Sequence, residues 1–180
     1  MIFVKKTLFW IIALVLMLVG FVLNILMSVG FFREIIPNSN SFEIRSFPVI
    51  GAEDMAIARQ DSFLIISSDD RGGRRDGNQK EGGLYLVDLK DASLTPKRIS
   101  GNIDLTLNPH GISLYKIDST RYRLWVINHV RGAHSVEVLG LQQDSLWHEQ
   151  TIRDEQMNSP NDLVAIDSSR FYITNDHGNT

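Results

Sequence analysis

Three sets of short apolar strands follow one another along the chain, and this repetition limits the folds that the chain can adopt. The first set comprises EDMAIA, FLIISS, GLYLVDL and PKRIS, the second comprises HGISLY, RLWVINH, SVEVLGL and HEQTI, and the third begins with NDLVAI and FYITND. Four short strands in a unit of about 40 to 50 residues are typical of a β-propeller blade. The sequence therefore predicts an all-β fold, with part of a β-propeller.

Polar residues stand at the head of each set. Glu53, His110 and Asn161 open the three sets, with separations of 57 and 51 residues. Because the first strand of each propeller blade lines the central channel, we expect these heads to converge at one channel mouth. The neighbouring acids and the ends of the second strands should lie on the same rim; these are Asp54, Asp162, Ser67-Ser68, Asn128-His129 and Asn175-Asp176.

The oxygen atoms of this rim suit a hard cation. Ca²⁺ takes about 6 to 8 oxygen ligands, which carboxylates and amides supply. The alternative is structural, since Asp and Asn at strand starts commonly form turns, and a histidine at a blade start commonly packs there without catalysing anything. Cysteine is absent, so any metal must be held by oxygen or imidazole. The net charge is -3 without a run of Lys and Arg, which argues against a nucleic-acid partner.

The N-terminal segment predicts a membrane helix. Leu8 to Phe32 is almost unbroken apolar sequence, and about 20 such residues span a bilayer. Lys5 and Lys6 precede it, which places the N-terminus in the cytoplasm. We therefore predict a single-pass membrane protein whose soluble domain is extracytoplasmic, that is, periplasmic or extracellular.

A cleaved signal peptide is the alternative interpretation, with a small-x-small site at residues 28–30. Signal peptides usually have a shorter apolar region, of about 7 to 15 residues, which favours the anchor. The predicted organisation is a cytoplasmic tip and transmembrane anchor at residues 1–33, a linker at 34–41, and the N-terminal part of a propeller at 42–180.

Several motifs resemble one known family, the paraoxonases, in family order and at similar spacing. They are GAEDMAI, NPHGIS, VINH, SVE, TIR, PNDLVAI and FYITNDH. The paraoxonases are calcium-dependent lactonases and arylesterases with a six-bladed propeller. The resemblance implies that this chain holds about the first two to three of six blades, because six blades need roughly 300 or more residues. We therefore expect the chain to be the N-terminal part of a longer enzyme.

The resemblance also implies roles for the rim residues. Glu53 and Asn161 would coordinate a catalytic Ca²⁺, and Asp54, Asp162 and the backbone carbonyl of Ile112 would hold a second, structural Ca²⁺. Successive side chains of an extended strand point in opposite directions, so adjacent acids can serve two ions. The remaining ligands in the family, an Asn and an Asp-Asn pair, lie on later blades.

Two histidines, His110 and His129, would then form the pair that activates water, while Ca²⁺ polarises the carbonyl of a lactone or aryl ester substrate. An imidazole with a pKa near 6.5 suits this role at neutral pH. The charged, Gly-rich segment Asp69 to Gly83 corresponds to a loop over the active site in related enzymes, and its alternative is a solvated surface loop.

Other functions remain open at this point. A non-catalytic extracytoplasmic propeller that binds a partner would show the same strand pattern. A gluconolactonase-like or strictosidine-synthase-like propeller enzyme would share the fold and part of the metal site. NPHGIS together with the second histidine of VINH favours the resemblance to paraoxonases.

Overall fold

The computed structural model describes residues 2–34, 36, 45–130 and 133–177. It divides into two compact units, Met1–Arg45 and Ser46–Thr180. Most of the predicted linker at 34–41 lies outside the described residues.

The first unit contains one long helix, α1 (Ile2–Ser28). Its part from Lys6 to Ser28 is long and apolar enough to cross a membrane, by length and composition. The apolar side chains are exposed all round the helix, from Leu8 to Met27. This confirms the predicted apolar helix; its orientation in a bilayer remains a prediction.

The first sheet of the second unit has four antiparallel strands that pair in chain order: β1 (Ala52–Ala58), β2 (Phe63–Ser68), β3 (Gly83–Asp88) and β4 (Lys97–Arg98). A one-turn 3-10 helix, Ser100–Asn102, follows β4. The strands coincide with the first predicted set, because β-branched and aromatic residues favour an extended, half-buried chain.

The second sheet repeats this arrangement with β5 (Pro109–Lys116), β6 (Arg121–Val130), β7 (Ala133–Gln142) and β8 (Ser145–Ile152). A two-stranded sheet follows, made of β9 (Pro160–Ala165) and β10 (Phe171–Asn175). The second and third predicted sets are therefore confirmed as antiparallel sheets.

The middle of strand β6 is buried on both faces, which explains its unbroken apolar run from Leu124 to Ile127. Leu124 and Val126 belong to a core shared with the first sheet, where they join Ile65. Trp125 and Ile127 belong to a second core, shared with the third sheet. Because side chains alternate along a strand, one apolar strand contributes to both cores. The second sheet thus packs against the first sheet on one face and the third on the other.

The first strands of the three sheets adjoin, since β1 contacts β5 and β5 contacts β9. Gly111 permits the second contact: a Cβ atom there would lie 2.6 Å from the carbonyl oxygen of Asn161. The polar residues at the starts of these strands are therefore brought to one region of the molecule.

The segment Asp69 to Gly83, predicted to be a loop, contains a short helix, α2 (Arg71–Arg75). The Asp70 carboxylate organises it by accepting bonds from Gly73 N (2.9 Å) and Lys80 N (2.8 Å). Two glycines and no apolar periodicity disfavour a helix at the sequence level. The helix therefore depends on the side-chain cap of Asp70.

Gly51 sets the backbone conformation just before β1, and its replacement by alanine should destabilise the fold. Its φ is +56°, and a Cβ atom would lie 2.2 Å from the carbonyl oxygen of Asp69. Gly77 has a φ of +72° with nothing within 4 Å of the same position. We expect Gly51→Ala to lower the free energy of unfolding by roughly 3 kcal/mol or more, and Gly77→Ala by about 1 kcal/mol.

Denaturant unfolding of the full chain in detergent, followed by tryptophan fluorescence, measures both values. Gly77→Ala isolates the cost of the backbone conformation from the cost of the collision. Equal losses in the two variants would show that the close approach of residue 51 to the Asp69 carbonyl adds nothing to the loss of stability.

Candidate functional site

Glu53 and Asp54, adjacent on β1, point to opposite sides of the strand. The Glu53 carboxylate lies 3.0 Å from Nδ1 of His110. The Asp54 carboxylate accepts hydrogen bonds from Ile112 N (2.8 Å) and Met55 N (2.6 Å). Both acids therefore connect the first sheet to the start of β5, one on each side.

The hydroxyl of Ser67 links β1 to β5. It accepts a bond from Asp54 N (3.0 Å) and donates to the carbonyl oxygen of His110 (2.6 Å). Ser67 is fully buried. A buried hydroxyl that satisfies both neighbours fixes the backbone from which the Glu53 and His110 side chains start.

Arg71, on α2, inserts its guanidinium between these groups. Its Nη2 lies 2.7 Å from His110 Nδ1, and its Nε lies 3.3 Å from a Glu53 oxygen and 3.8 Å from Asp69 Oδ2. Asp69 is buried, and its other oxygen accepts from Arg74. Arg71 therefore balances the charge of Glu53 and Asp69. No local sequence pattern marks Arg71, because its contacts reach residues of three separate parts of the chain.

His129, at the end of β6, is held by its backbone and lies close to His110. Its N–H donates to the Asn108 carbonyl (3.0 Å), and its own carbonyl accepts from Asn108 Nδ2 (3.0 Å). The two imidazole rings lie 5.3 Å apart. Burial, followed by the nearby charges of His134, His110 and Arg71, lowers the pKa of His129 to about 4. His129 is therefore neutral at physiological pH.

Asn161 and Asp162 open β9 beside β5. Asn161 Nδ2 donates to the Asp176 carboxylate (3.0 Å), and Asp162 Oδ1 accepts from Leu163 N (2.7 Å). A Cβ atom on Gly111 would lie 3.0 Å from Asp162 Oδ1. The two residues thus lie next to the start of β5.

Five of the seven predicted site residues divide between two clefts, and Glu53 and Asn161 line neither of them. A cleft of about 780 Å³ contains the two histidines and the basic helix; its lining includes Arg71, Arg74, Gln79, Asn108, His110, His129, His134 and Asp176. A smaller cleft of about 380 Å³ is lined by Asp54, Ile112 and Asp162, among others. The residues predicted to hold the structural ion therefore share one cleft, and the histidine pair shares the other.

The oxygen donors fit calcium in kind but are few in number. Within residues 2–34, 36, 45–130 and 133–177, no group of three or more acidic or histidine side chains is arranged to hold a metal. The Asp54 and Asp162 carboxylates accept backbone N–H groups instead. Since Ca²⁺ needs about 6 to 8 oxygens, a complete site requires ligands beyond these residues.

A buried carboxylate, Glu137 on β7, supports the His129 side of the larger cleft. It is 1% exposed and accepts bonds from Ser135 Oγ (2.6 Å) and Asn128 Nδ2 (3.3 Å), and from Thr151 and His148 at its other oxygen. Burial alone would raise the pKa of Glu137, but these hydrogen bonds outweigh it and lower the pKa. The motifs SVE and TIR contain Glu137 and Thr151, but their places in the sequence do not reveal this network.

Asn128 links the Glu137 network to the segment before β5. Its Oδ1 accepts from Asn108 N (2.8 Å), and its Nδ2 donates to the Thr106 carbonyl (3.0 Å) as well as to Glu137. Asn108 in turn holds the backbone of His129 at both its N–H and its carbonyl. The Glu137 network therefore anchors the strand ends that carry the two histidines.

Comparisons with known proteins match the strand-rich part of the chain. A family model described as Arylesterase matches residues 52–179. Serum paraoxonase/arylesterase 2 of Rattus norvegicus is 36% identical over 133 residues, covering 71% of this chain and 38% of the relative. Serum paraoxonase/lactonase 3 of Mus musculus is 39% identical over 104 residues, covering 54% and 29%. The chain thus spans less than half the length of these relatives.

Removing the Asp54 carboxylate should loosen the junction between the first two sheets even without calcium. Asp54→Ala leaves two backbone N–H groups without their acceptor, so we expect a loss of about 1–3 kcal/mol in the free energy of unfolding. Asp54→Asn retains one acceptor oxygen and should lose less. The measurement is denaturant unfolding of the full chain in the presence of a chelator.

Asp104→Ala, at an exposed acid, is the matched control. If Asp54→Ala loses no more stability than this control under chelation, the hydrogen bonds of Asp54 do not tie the sheets together.

Proposed function

Because the chain belongs to the paraoxonase/arylesterase family, we propose that it forms the N-terminal part of a calcium-dependent hydrolase of lactones or aryl esters. The contact between Glu53 and His110 carries the proposal: the first strands of two different repeats place a carboxylate 3.0 Å from an imidazole. The paraoxonase/arylesterase and paraoxonase/lactonase names of the relatives support the choice of substrates.

The proposed architecture is a six-bladed β-propeller, of which this chain supplies about the first two to three blades. Two consecutive four-stranded sheets and the beginning of a third support it, as do their adjoining first strands. Met55, Ile57 and Val164, on β1 and β9, are exposed apolar side chains that further blades would cover.

Two calcium ions would complete the site. Glu53 and Asn161 would hold the catalytic ion, and Asp54, Asp162 and the Ile112 carbonyl would hold the structural ion. The second assignment is supported by the cleft that these last three residues share. The catalytic ion, when bound, supplies a Lewis acid that polarises the substrate carbonyl.

The histidines would handle the proton. In the tautomer whose Nδ1–H donates to Glu53, Nε2 of His110 carries the lone pair that takes a proton from water. Arg71, which can only donate to Nδ1, has to withdraw for this tautomer to form. The hydroxide oxygen then bonds to the carbonyl carbon, the bond to the leaving oxygen breaks, and the proton passes to that oxygen. Neutral His129 would orient His110 or relay the proton.

Helix α1 would anchor the enzyme to a membrane, with the N-terminus in the cytoplasm and the sheets outside it. The length and apolar composition of Lys6–Ser28 support the anchor. The two lysines before the apolar run support the orientation.

Calcium would have to displace Arg71, because the guanidinium occupies the Glu53 carboxylate. Arg71→Gln should therefore raise the affinity of the full chain in detergent for Ca²⁺ about five- to tenfold, measured by isothermal titration. Arg75→Gln removes the same charge from an exposed position on the same helix and is the matched control. Equal affinities in the two variants would contradict a direct competition between Arg71 and the ion.

The full-length protein encoded by the reading frame of this chain should be an esterase that a calcium chelator inhibits. The full-length protein, in detergent, is assayed with phenyl acetate and with a δ-lactone, in the presence and in the absence of a chelator. His110→Gln should lower kcat by roughly 10²-fold or more, since it removes the base. Glu53→Gln should raise the Ca²⁺ concentration needed for half-maximal turnover.

Turnover that withstands the chelator and both substitutions would contradict the proposal. Calcium or ligand binding without turnover would instead indicate the non-catalytic binding module.

A further inference from the structure

A third histidine, His134, completes a row of imidazoles at the larger cleft. It lies on β7 directly opposite His129 on β6, in the register of this antiparallel pair. The two Nδ1 atoms lie 2.8 Å apart, and the rings meet edge to face with centroids 4.9 Å apart. His110, His129 and His134 all line the same cleft.

The distance between the two Nδ1 atoms restricts the protonation of both rings. One nitrogen must carry the proton and the other must present its lone pair, because a neutral imidazole has one donor and one acceptor. Two imidazolium ions at this distance would repel each other. The bond therefore permits only two arrangements, in which the two rings have opposite tautomers, and in each of them Nε2 of His129 has the opposite character to its Nδ1.

The same bond fixes the orientation of the His129 ring. The backbone of His129 is already clamped by Asn108 at both its N–H and its carbonyl. His134 adds a third point of attachment, at the ring itself. The charged and titratable groups around His129 come from three further elements: His110 on β5, Arg71 on α2, and Asp69 after β2.

We propose that His134 is a positioning residue whose bond to Nδ1 sets the tautomer and the ring orientation of His129. The contact between the two Nδ1 atoms supports this role of His134 without reference to any reaction. Its consequence for catalysis, that a correctly presented His129 supports His110, rests on the proposed function. Second partners of this kind commonly change activity by 10- to 100-fold when removed from histidines in metal sites.

The ring nitrogens of His129 report directly on this role. The experiment uses ¹⁵N-labelled full chain in detergent micelles and long-range ¹H–¹⁵N spectra of the histidine rings above pH 7. In the unmodified chain, one His129 nitrogen should show the shift of a protonated atom and the other that of an unprotonated atom. In His134→Leu, both shifts should move toward intermediate values, because the two tautomers then exchange.

His134→Asn tests whether the bond itself is responsible. Its side-chain amide lies close to the position of the histidine Nδ1, so it should preserve the single tautomer of His129. His177→Leu, at an exposed histidine, should leave the His129 signals unchanged. Backbone amide spectra like those of the unmodified chain establish that each variant is folded. His129 shifts that stay unchanged in folded His134→Leu would overturn the proposal.

Turnover separates this inference from the proposed function. If the full-length protein hydrolyses phenyl acetate, His134→Leu should lower its kcat by roughly tenfold or more with little change in KM. His134→Asn should retain most of the unmodified kcat. If the unmodified protein shows no turnover, the proposed function fails, while the ring spectra still decide the role of His134.

Discussion

The adjoining first strands of the three sheets are the constraint on which the rest of the structure depends. Strand β5 lies between β1 and β9, and Gly111 lets β9 approach without a collision. The hydroxyl of Ser67 fastens β1 and β5 together beneath the site. Through this arrangement, a carboxylate from one repeat meets an imidazole from the next. Each sheet alone would present only isolated polar residues at a strand end.

Charge balance explains how the charged side chains of the site are paired. Glu53 is paired with the guanidinium of Arg71, and Asp69 lies near Arg71 and is bonded by Arg74. His129, in contrast, stays neutral because burial and the surrounding positive groups disfavour its protonated form. A cation that binds Glu53 would replace one positive charge with another. The site is thus arranged to carry a positive charge beside the neutral imidazole of His129.

Much of this could be predicted from the sequence, and the rest has identifiable physical reasons for being missed. The strand sets follow from apolar runs between Gly, Asp and Asn clusters, and the opposite directions of Glu53 and Asp54 follow from extended chain geometry. Arg71 was missed because its partners lie on distant elements. Helix α2 was missed because one carboxylate cap outweighs two glycines. The pairing of His129 with His134 could have been predicted from the pairing of the two apolar runs that hold them as adjacent antiparallel strands.

The position of a bound ion tests the central claim most directly. A crystal structure of the protein with Tb³⁺ as a calcium substitute would locate the ion by its anomalous scattering. The account predicts a peak about 2.3–2.6 Å from a Glu53 oxygen, on the side of His110, with Arg71 withdrawn. The absence of ion density at Glu53, with its carboxylate still held by Arg71, would contradict it, whether or not an ion occupies the cleft of Asp54 and Asp162.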